Sequence, residues 1–68
     1  MTTIYKIITA LSNPVREYTD LWDDYDDAMN YFNGVKNNKD IISIEVVKMQ
    51  NSEDSSFLQE VEVIASFS

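Results

Sequence analysis

The sequence contains no cysteine and no histidine, and it has only one glycine, Gly34, and one proline, Pro14, in 68 residues. Without thiols and imidazoles the chain can form neither a disulfide framework nor the usual zinc sites. A single glycine cannot build the glycine-rich loops that bind phosphate groups. The remaining candidate bases and nucleophiles are not arranged in any catalytic motif. We therefore expect a protein that is not an enzyme and that holds no cofactor and no metal ion.

Positive charge is also scarce, because five Lys and Arg residues stand against twelve Asp and Glu residues, for a net charge of -7. Lys and Arg supply the affinity for nucleic acids and for anionic membrane surfaces. The composition thus predicts no direct binding to nucleic acid or to a membrane, and a protein partner with a basic surface. The sequence shows no secretory leader and no apolar run of about 20 residues. We expect a cytoplasmic protein. The cytoplasm is that of its own cell or, for a viral protein, that of the host cell.

The length and the apolar content indicate one small folded unit. A hydrophobic share of 44% and an aromatic share of 12% exceed what an acidic disordered tail carries. A chain of this size has room for one core, so residues 1–68 are expected to form a single domain. Because small cores supply only about 3–5 kcal/mol, association with a partner or a second copy can contribute stability.

Hydrophobic periodicity predicts three strands and one helix. Alternating apolar and β-branched residues indicate strands over about residues 3–11, 41–49 and 57–67. A helix over about residues 20–33 is indicated because the apolar side chains from Tyr18 to Val35 fall in one arc of roughly 140° on a helical wheel. This order predicts an α+β fold, a β-α-β-β domain with one helix on one face of a three-stranded antiparallel sheet, in the order 1-3-2. Parallel contact between the first and second strands is the alternative.

Acidic side chains occupy the opposite side of the same wheel. Six carboxylates lie between Glu17 and Asp27, which on a helix is one charge per roughly 2.7 Å of axis, against roughly 1.7 Å for duplex DNA. Aspartates near a helix N-terminus are also typical of an ordinary solvated face. The lack of any Lys or Arg on this face favours a binding role. The predicted partner-binding residues are Asp20, Asp23, Asp24, Asp26, Asp27 and Tyr31.

Tyr31 is included because the wheel places it among the aspartates. An exposed aromatic residue surrounded by charge is a candidate central contact, although isolated exposed aromatic residues are common.

Strand alternation leaves one sheet face without a covering helix. The pattern places Ile42 toward the helix and Ile41 away from it. An uncovered apolar face is typical of a dimer or partner surface, with simple solvation as the alternative. Strand 41–49 would be an edge able to pair across a two-fold axis. The predicted second interface consists of Ile8, Val47, Met49, Leu58 and Ile64.

The acidic stretch from Tyr18 to Asp27, in a very small chain without His or Cys, resembles small phage-encoded proteins that disable host defence or nucleic-acid enzymes. These include anti-CRISPR proteins and DNA mimics. The resemblance implies a non-catalytic viral inhibitor that binds a basic, nucleic-acid-binding surface of a larger complex through its acidic helix face. The competing hypothesis is a homodimeric structural or scaffolding protein that uses the open sheet face, with the acidic residues serving solubility.

Overall fold

The computed structural model describes residues 2–68, which form four β-strands and one α-helix. In chain order these are β1 (Thr3–Leu11), β2 (Arg16–Trp22), α1 (Tyr25–Val35), β3 (Ile41–Gln50) and β4 (Gln59–Phe67). All neighbouring strands are antiparallel, and the sheet has the order β2-β1-β3-β4. The α+β class with one helix is as predicted. The predicted three-stranded sheet with order 1-3-2 is wrong, because the sheet contains a fourth strand, β2.

The additional strand changes the topology of the whole sheet. β2 reverses the chain direction before α1 begins, so the helix connects β2 to β3 across β1, which lies between them. Both β2 and β3 pair antiparallel to β1, and they are therefore parallel to each other. This is a split β-α-β unit. As a result β3 is central and β4 is an edge, so the predicted pairing of strand 41–49 across a two-fold axis is also wrong.

Residues 16–22 form a strand although they also fit a helical wheel. Their alternation places Tyr18, Asp20 and Trp22 on the face toward the helix, where they lie opposite Thr9, Ile7 and Tyr5 of β1. Tyr18 and Trp22 satisfy both the period of two and the period of 3.6, so their spacing does not distinguish the two structures. The hairpin with β1 decides the outcome, since it supplies ladder hydrogen bonds that an isolated helical turn cannot match.

The turn between β1 and β2 contains residues 12–15 and is closed by local polar contacts. Asn13 has a positive φ of 64°, a conformation that Asn tolerates better than most residues. Arg16 Nη1 donates to the carbonyl oxygens of Ser12 at 3.1 Å and Pro14 at 2.9 Å. The guanidinium of Arg16 is therefore engaged in the turn.

α1 begins at Tyr25, five residues later than predicted, and ends at Val35. Ala28 and Phe32 are its buried residues, at the i and i+4 spacing that one face of a helix provides. The predicted stop at residue 33 is not observed. Gly34 does not adopt a positive φ, so it continues the helix, and Lys36 N donates to Phe32 O at 3.0 Å in the last turn.

The core lies between α1 and the two central strands. Its buried cluster is formed by Ile7, Ala28, Phe32, Ile44 and Val46. In the sheet, Ile7 lies opposite Val46, which aligns the apolar faces of β1 and β3 beneath the helix. The domain is thus held by a small cluster at the centre of the sheet.

Register shifts explain why the predicted orientation of isoleucine side chains is wrong at two places in the sheet. The β1–β3 ladder shifts between Ala10 and Leu11, and Ile41 packs against the core while Ile42 is exposed. The β3–β4 ladder shifts between Val46 and Val47, and Ile64 also packs against the core. Each shift inserts one residue, which exchanges the two faces of the strand beyond it. The sequence-based assignments of these isoleucine side chains are therefore wrong.

Within residues 2–68, α1 is the single helix and has 11 residues, too few and too polar to cross a lipid bilayer.

Candidate functional site

The predicted acidic residues lie at the corner where β2 ends and α1 begins. We call this surface the acidic corner, and it consists of Asp20, Asp23, Asp24, Asp26 and Asp27. Asp20 lies in β2, and only Asp26 and Asp27 lie in the helix. The prediction of one continuous acidic helix face is therefore wrong, because the chain turns within the acidic stretch. The five residues lie within eight positions of the chain, and all except the half-buried Asp20 are exposed.

Asp24 has a structural role as the N-cap of α1. Its backbone is extended, with φ of -117° and ψ of 128°, and its Oδ2 accepts a hydrogen bond from Asp27 N at 2.9 Å. This contact satisfies one of the amide groups that a helix leaves unpaired at its start. The positive end of the helix dipole also favours the carboxylates of Asp26 and Asp27 in the first turn. The helix terminus therefore accounts for part of the charge, whereas Asp20 and Asp23 lie outside it.

Asp20 is tied to the helix through Tyr31. The Tyr31 hydroxyl donates to Asp20 Oδ2 at 3.2 Å, and the Tyr31 ring lies 5.2 Å from the Trp22 ring. Burial, followed by the negative charge of Asp20 and the hydrogen bond to it, raises the pKa of Tyr31 above its usual value. Tyr31 packs against the core cluster. It is thus not the exposed aromatic residue that the wheel predicted, and it instead fixes β2 against α1.

Two other tyrosines provide the exposed aromatic surface beside the corner. Tyr18 on β2 and Tyr25 at the start of α1 are each about half exposed. The Tyr25 ring meets the Tyr5 ring edge-on, with centroids 5.7 Å apart. Sequence analysis assigned both to the buried side of a longer helix and so missed them. The period of two from Arg16 to Trp22 is the signal that indicates a strand around Tyr18, and local pattern gives none for Tyr25.

Basic residues do not neutralise the acidic corner. Among residues 2–68, the one ion pair joins Lys6 Nζ to Glu60 Oε2 at 2.7 Å, so the Lys6 ammonium group, although on β1 beside β2, is paired with β4. Arg16 is held by the turn carbonyls, and Lys36 lies 5.4 Å above the Phe32 ring. The corner carboxylates are therefore available to a cationic group from another molecule.

The residues predicted for a second interface do not form one exposed surface. Val47 is only 1% exposed, and Ile64 packs against the core cluster, so neither is available to a partner. Ile8 and Met49 are half-buried, and Leu58 is exposed. The prediction fails for Val47 because it lies between Lys6 and Val63 in the middle of the sheet.

A different set of apolar side chains is exposed along β4 and just before it. We call this set the β4 patch, and it consists of Phe57, Val61, Val63 and Phe67. Near its end is an open groove of about 360 Å³. The groove is lined by Ile8, Ser43, Ile44, Glu45, Ser66, Phe67 and Ser68. The molecule therefore has a cluster of carboxylates where β2 meets α1, and exposed apolar side chains on both edge strands, Leu21 on β2 and Val61, Val63 and Phe67 on β4.

Comparison with models of protein families, with curated proteins and with solved structures finds no match for this chain. In the part of the chain that the structure describes, no three acidic side chains come together as metal ligands. The functional interpretation therefore depends on the geometry and charge of the two surfaces.

Proposed function

We propose that the protein is a non-catalytic inhibitor that binds a basic, nucleic-acid-binding surface of a larger protein complex through its acidic corner. The observation that carries this proposal is the concentration of five carboxylates at the β2–α1 corner, none of which forms an ion pair with a Lys or Arg among residues 2–68. A charge of one sign steers association with a surface of the opposite sign and disfavours other partners. The role is of the kind that phage-encoded anti-CRISPR proteins and DNA mimics perform, and we place it in the cytoplasm.

The arrangement of the corner supports this role in a specific way. Asp24 and Tyr31 order the backbone on either side, since Asp24 caps the helix and Tyr31 holds Asp20. Asp23 and Asp26 are exposed on the surface between them. Carboxylates held on ordered backbone bind a cationic partner with less loss of conformational entropy than carboxylates on a free chain. Asp23 and Asp26 are therefore the main charged contacts in this proposal, and Tyr18 and Tyr25 add aromatic contact area.

The proposal predicts that neutralising two carboxylates of the corner weakens partner capture. The test is affinity capture from a lysate of the native host on the immobilised protein, followed by release with duplex DNA, which competes for a nucleic-acid-binding surface. The protein with Asp23→Asn and Asp26→Asn should bind the captured complex at least about tenfold more weakly, a loss of about 1.4 kcal/mol.

The matched control carries Glu53→Gln and Asp54→Asn, which remove the same charge from the connection between β3 and β4. This control should retain wild-type affinity. Equal binding by the corner variant and the control would refute a role for the corner. Captured proteins that duplex DNA does not release would refute a nucleic-acid-binding target.

A further inference from the structure

Edge strand β4 adds no buried residue to the domain. Seven of its nine residues are exposed, and the other two are half-buried. All the buried residues within residues 2–68 lie on β1, α1 and β3. In the same part of the chain, α1 contacts β1, β2 and β3 but not β4. The core and the helix can therefore keep their contacts with one another when β4 is absent from the sheet.

The other edge strand, β2, is also mostly exposed, but it is tied to the helix. Asp20 accepts a hydrogen bond from the Tyr31 hydroxyl, and the Trp22 ring lies against the Tyr31 ring. Only two residues, 23 and 24, separate β2 from α1. Detachment of β2 therefore breaks helix contacts, whereas detachment of β4 does not.

Pairing between β4 and β3 is interrupted at two places. Ile64 has no Cα partner at the first register shift, and Val61 has none at the second. An inserted residue of this kind disrupts the ladder hydrogen bonds around it. β4 is therefore held by short stretches of pairing rather than by one continuous ladder.

Few side chains tie β4 to the domain beyond its pairing with β3. Ile64 and Ala65 are half-buried and pack against the core cluster. Glu60 accepts a hydrogen bond from Lys6 of β1, but the Glu60 side chain is 58% exposed. Exposed ion pairs contribute little to stability. The closed position of β4 thus depends on a small number of contacts.

The connection between β3 and β4 is built as a hinge. Asn51 is held at the start of β1, because its Oδ1 accepts from Thr2 N at 2.7 Å. Among residues 2–68, the hydrogen bonds of segment 52–58 are local: Ser55 N donates to Ser52 O, and Phe57 N donates to Ser55 Oγ. The end of β3 is therefore fixed, while the segment that follows it can change direction.

We propose that β4 opens as one unit while β1, β2, α1 and β3 stay folded, and that β4 thereby controls access to β3. This inference is independent of the proposed function. The part that stays folded is the split β-α-β unit with the whole core cluster. Opening turns β3 into an edge strand and uncovers Val47, which lies opposite Val63 and is 1% exposed in the closed form. An apolar edge strand is a surface to which a further strand can add, and β4 keeps it covered.

Native-state hydrogen exchange followed by NMR tests the opening in the unmodified protein. The β4 amides that bond to β3 should exchange together, at least about tenfold faster than the bonded amides of β1 and α1 after correction for intrinsic rates. Their exchange should also depend less on added urea, because opening exposes less surface than global unfolding. Exchange of β4 at the rate of α1, with the same urea dependence, would overturn the proposal.

Two matched isoleucine variants separate the opening from global unfolding. Ile7→Val weakens the core cluster, which the open form retains, so protection should fall about fivefold in α1 and stay unchanged in β4. Ile64→Val weakens a contact that both the open and the unfolded forms lose, so protection should fall by the same factor in β4 and α1. An equal fall in β4 and α1 for Ile7→Val would overturn the proposal.

Thiol labelling of single-cysteine variants measures the same opening from β3. The chain has no native cysteine, and Val47 and Ala28 are both at most 1% exposed. A thiol at Val47→Cys becomes accessible when β4 opens, whereas a thiol at Ala28→Cys on α1 becomes accessible only in global unfolding. Val47→Cys should react at least about tenfold faster, once the measured stability of each variant is taken into account. Equal corrected rates would overturn the proposal.

Discussion

The two edge strands of the sheet differ in how they are held to the rest of the domain. The β2 edge ends in the acidic corner and is held to the helix by the bond between Tyr31 and Asp20. The β4 edge carries exposed apolar side chains, receives no helix contact within residues 2–68, and has one of its glutamates paired with Lys6. The helix is short and covers only part of the sheet. Within residues 2–68, the helix thus helps to hold one edge strand, β2, whereas the other edge strand, β4, is held by its pairing with β3.

The largest expected effect contrasts a buried phenylalanine with an exposed one. Phe32→Ala should lower the free energy of unfolding by about 3–5 kcal/mol, because it opens a cavity in the core cluster. Phe57→Ala should change it by less than about 0.5 kcal/mol, since Phe57 makes little contact within its own chain. Both are measured by urea unfolding. Similar losses would contradict the placement of Phe57 outside the core.

Added salt should weaken binding at the acidic corner. Binding of the captured partner should weaken by about tenfold between low salt and about 0.5 M salt, because screening reduces attraction between opposite charges. Titrations at several salt concentrations measure this change. An affinity that does not change with salt would contradict a charged contact at the corner.

A smaller effect distinguishes Asp24, whose carboxylate caps the helix, from Asp23, whose carboxylate is proposed to bind the partner. Asp24→Ala should destabilise the fold by about 1 kcal/mol, because it removes the acceptor for Asp27 N. Asp23→Ala should change stability by less than about 0.5 kcal/mol, since Asp23 lies outside the helix. Thermal unfolding followed by circular dichroism measures both variants. An equal loss would contradict the capping role of Asp24.

The smallest effect concerns the link between Asp20 and Tyr31 at high pH. The pKa of Tyr31 is raised in the folded state, so its contribution to stability is present below the usual tyrosine pKa of about 10 and is lost as pH rises above that value. Tyr31→Phe should cost about 1 kcal/mol at neutral pH through the lost hydrogen bond. It should also reduce the alkaline loss of stability. Urea unfolding at pH 7 and above pH 10 tests this difference.

Several features of the fold follow from the local pattern of the chain. Alternation of apolar residues indicates the strands that contain Ile7 and Ile44, and the spacing of Ala28 and Phe32 indicates the helix. These residues form the core because alternation and helical spacing place them on single faces. The concentration of acids between Glu17 and Asp27 and its position outside the core are likewise readable from the sequence.

Other features depend on contacts between distant parts of the chain. Residues 16–22 fit a strand and a helix about equally well, and pairing with β1 selects the strand. The faces of Ile41 and Ile64 depend on register shifts that local patterns do not reveal. The wheel also placed Tyr31 on the exposed side, because it treated Asp20 and Trp22 as part of the helix rather than of the strand against which Tyr31 packs.

The sequence by itself determined the composition of the two surfaces, since the net charge, the acidic stretch and the absence of His and Cys are properties of the chain. The tertiary structure decided where these surfaces lie. The β1–β2 hairpin bends the acidic stretch into a corner, and the strand order puts β4 at the opposite edge. The physical reason is that ladder pairing and register are set by contacts between segments far apart in the chain, whereas charge and hydrophobicity belong to each residue.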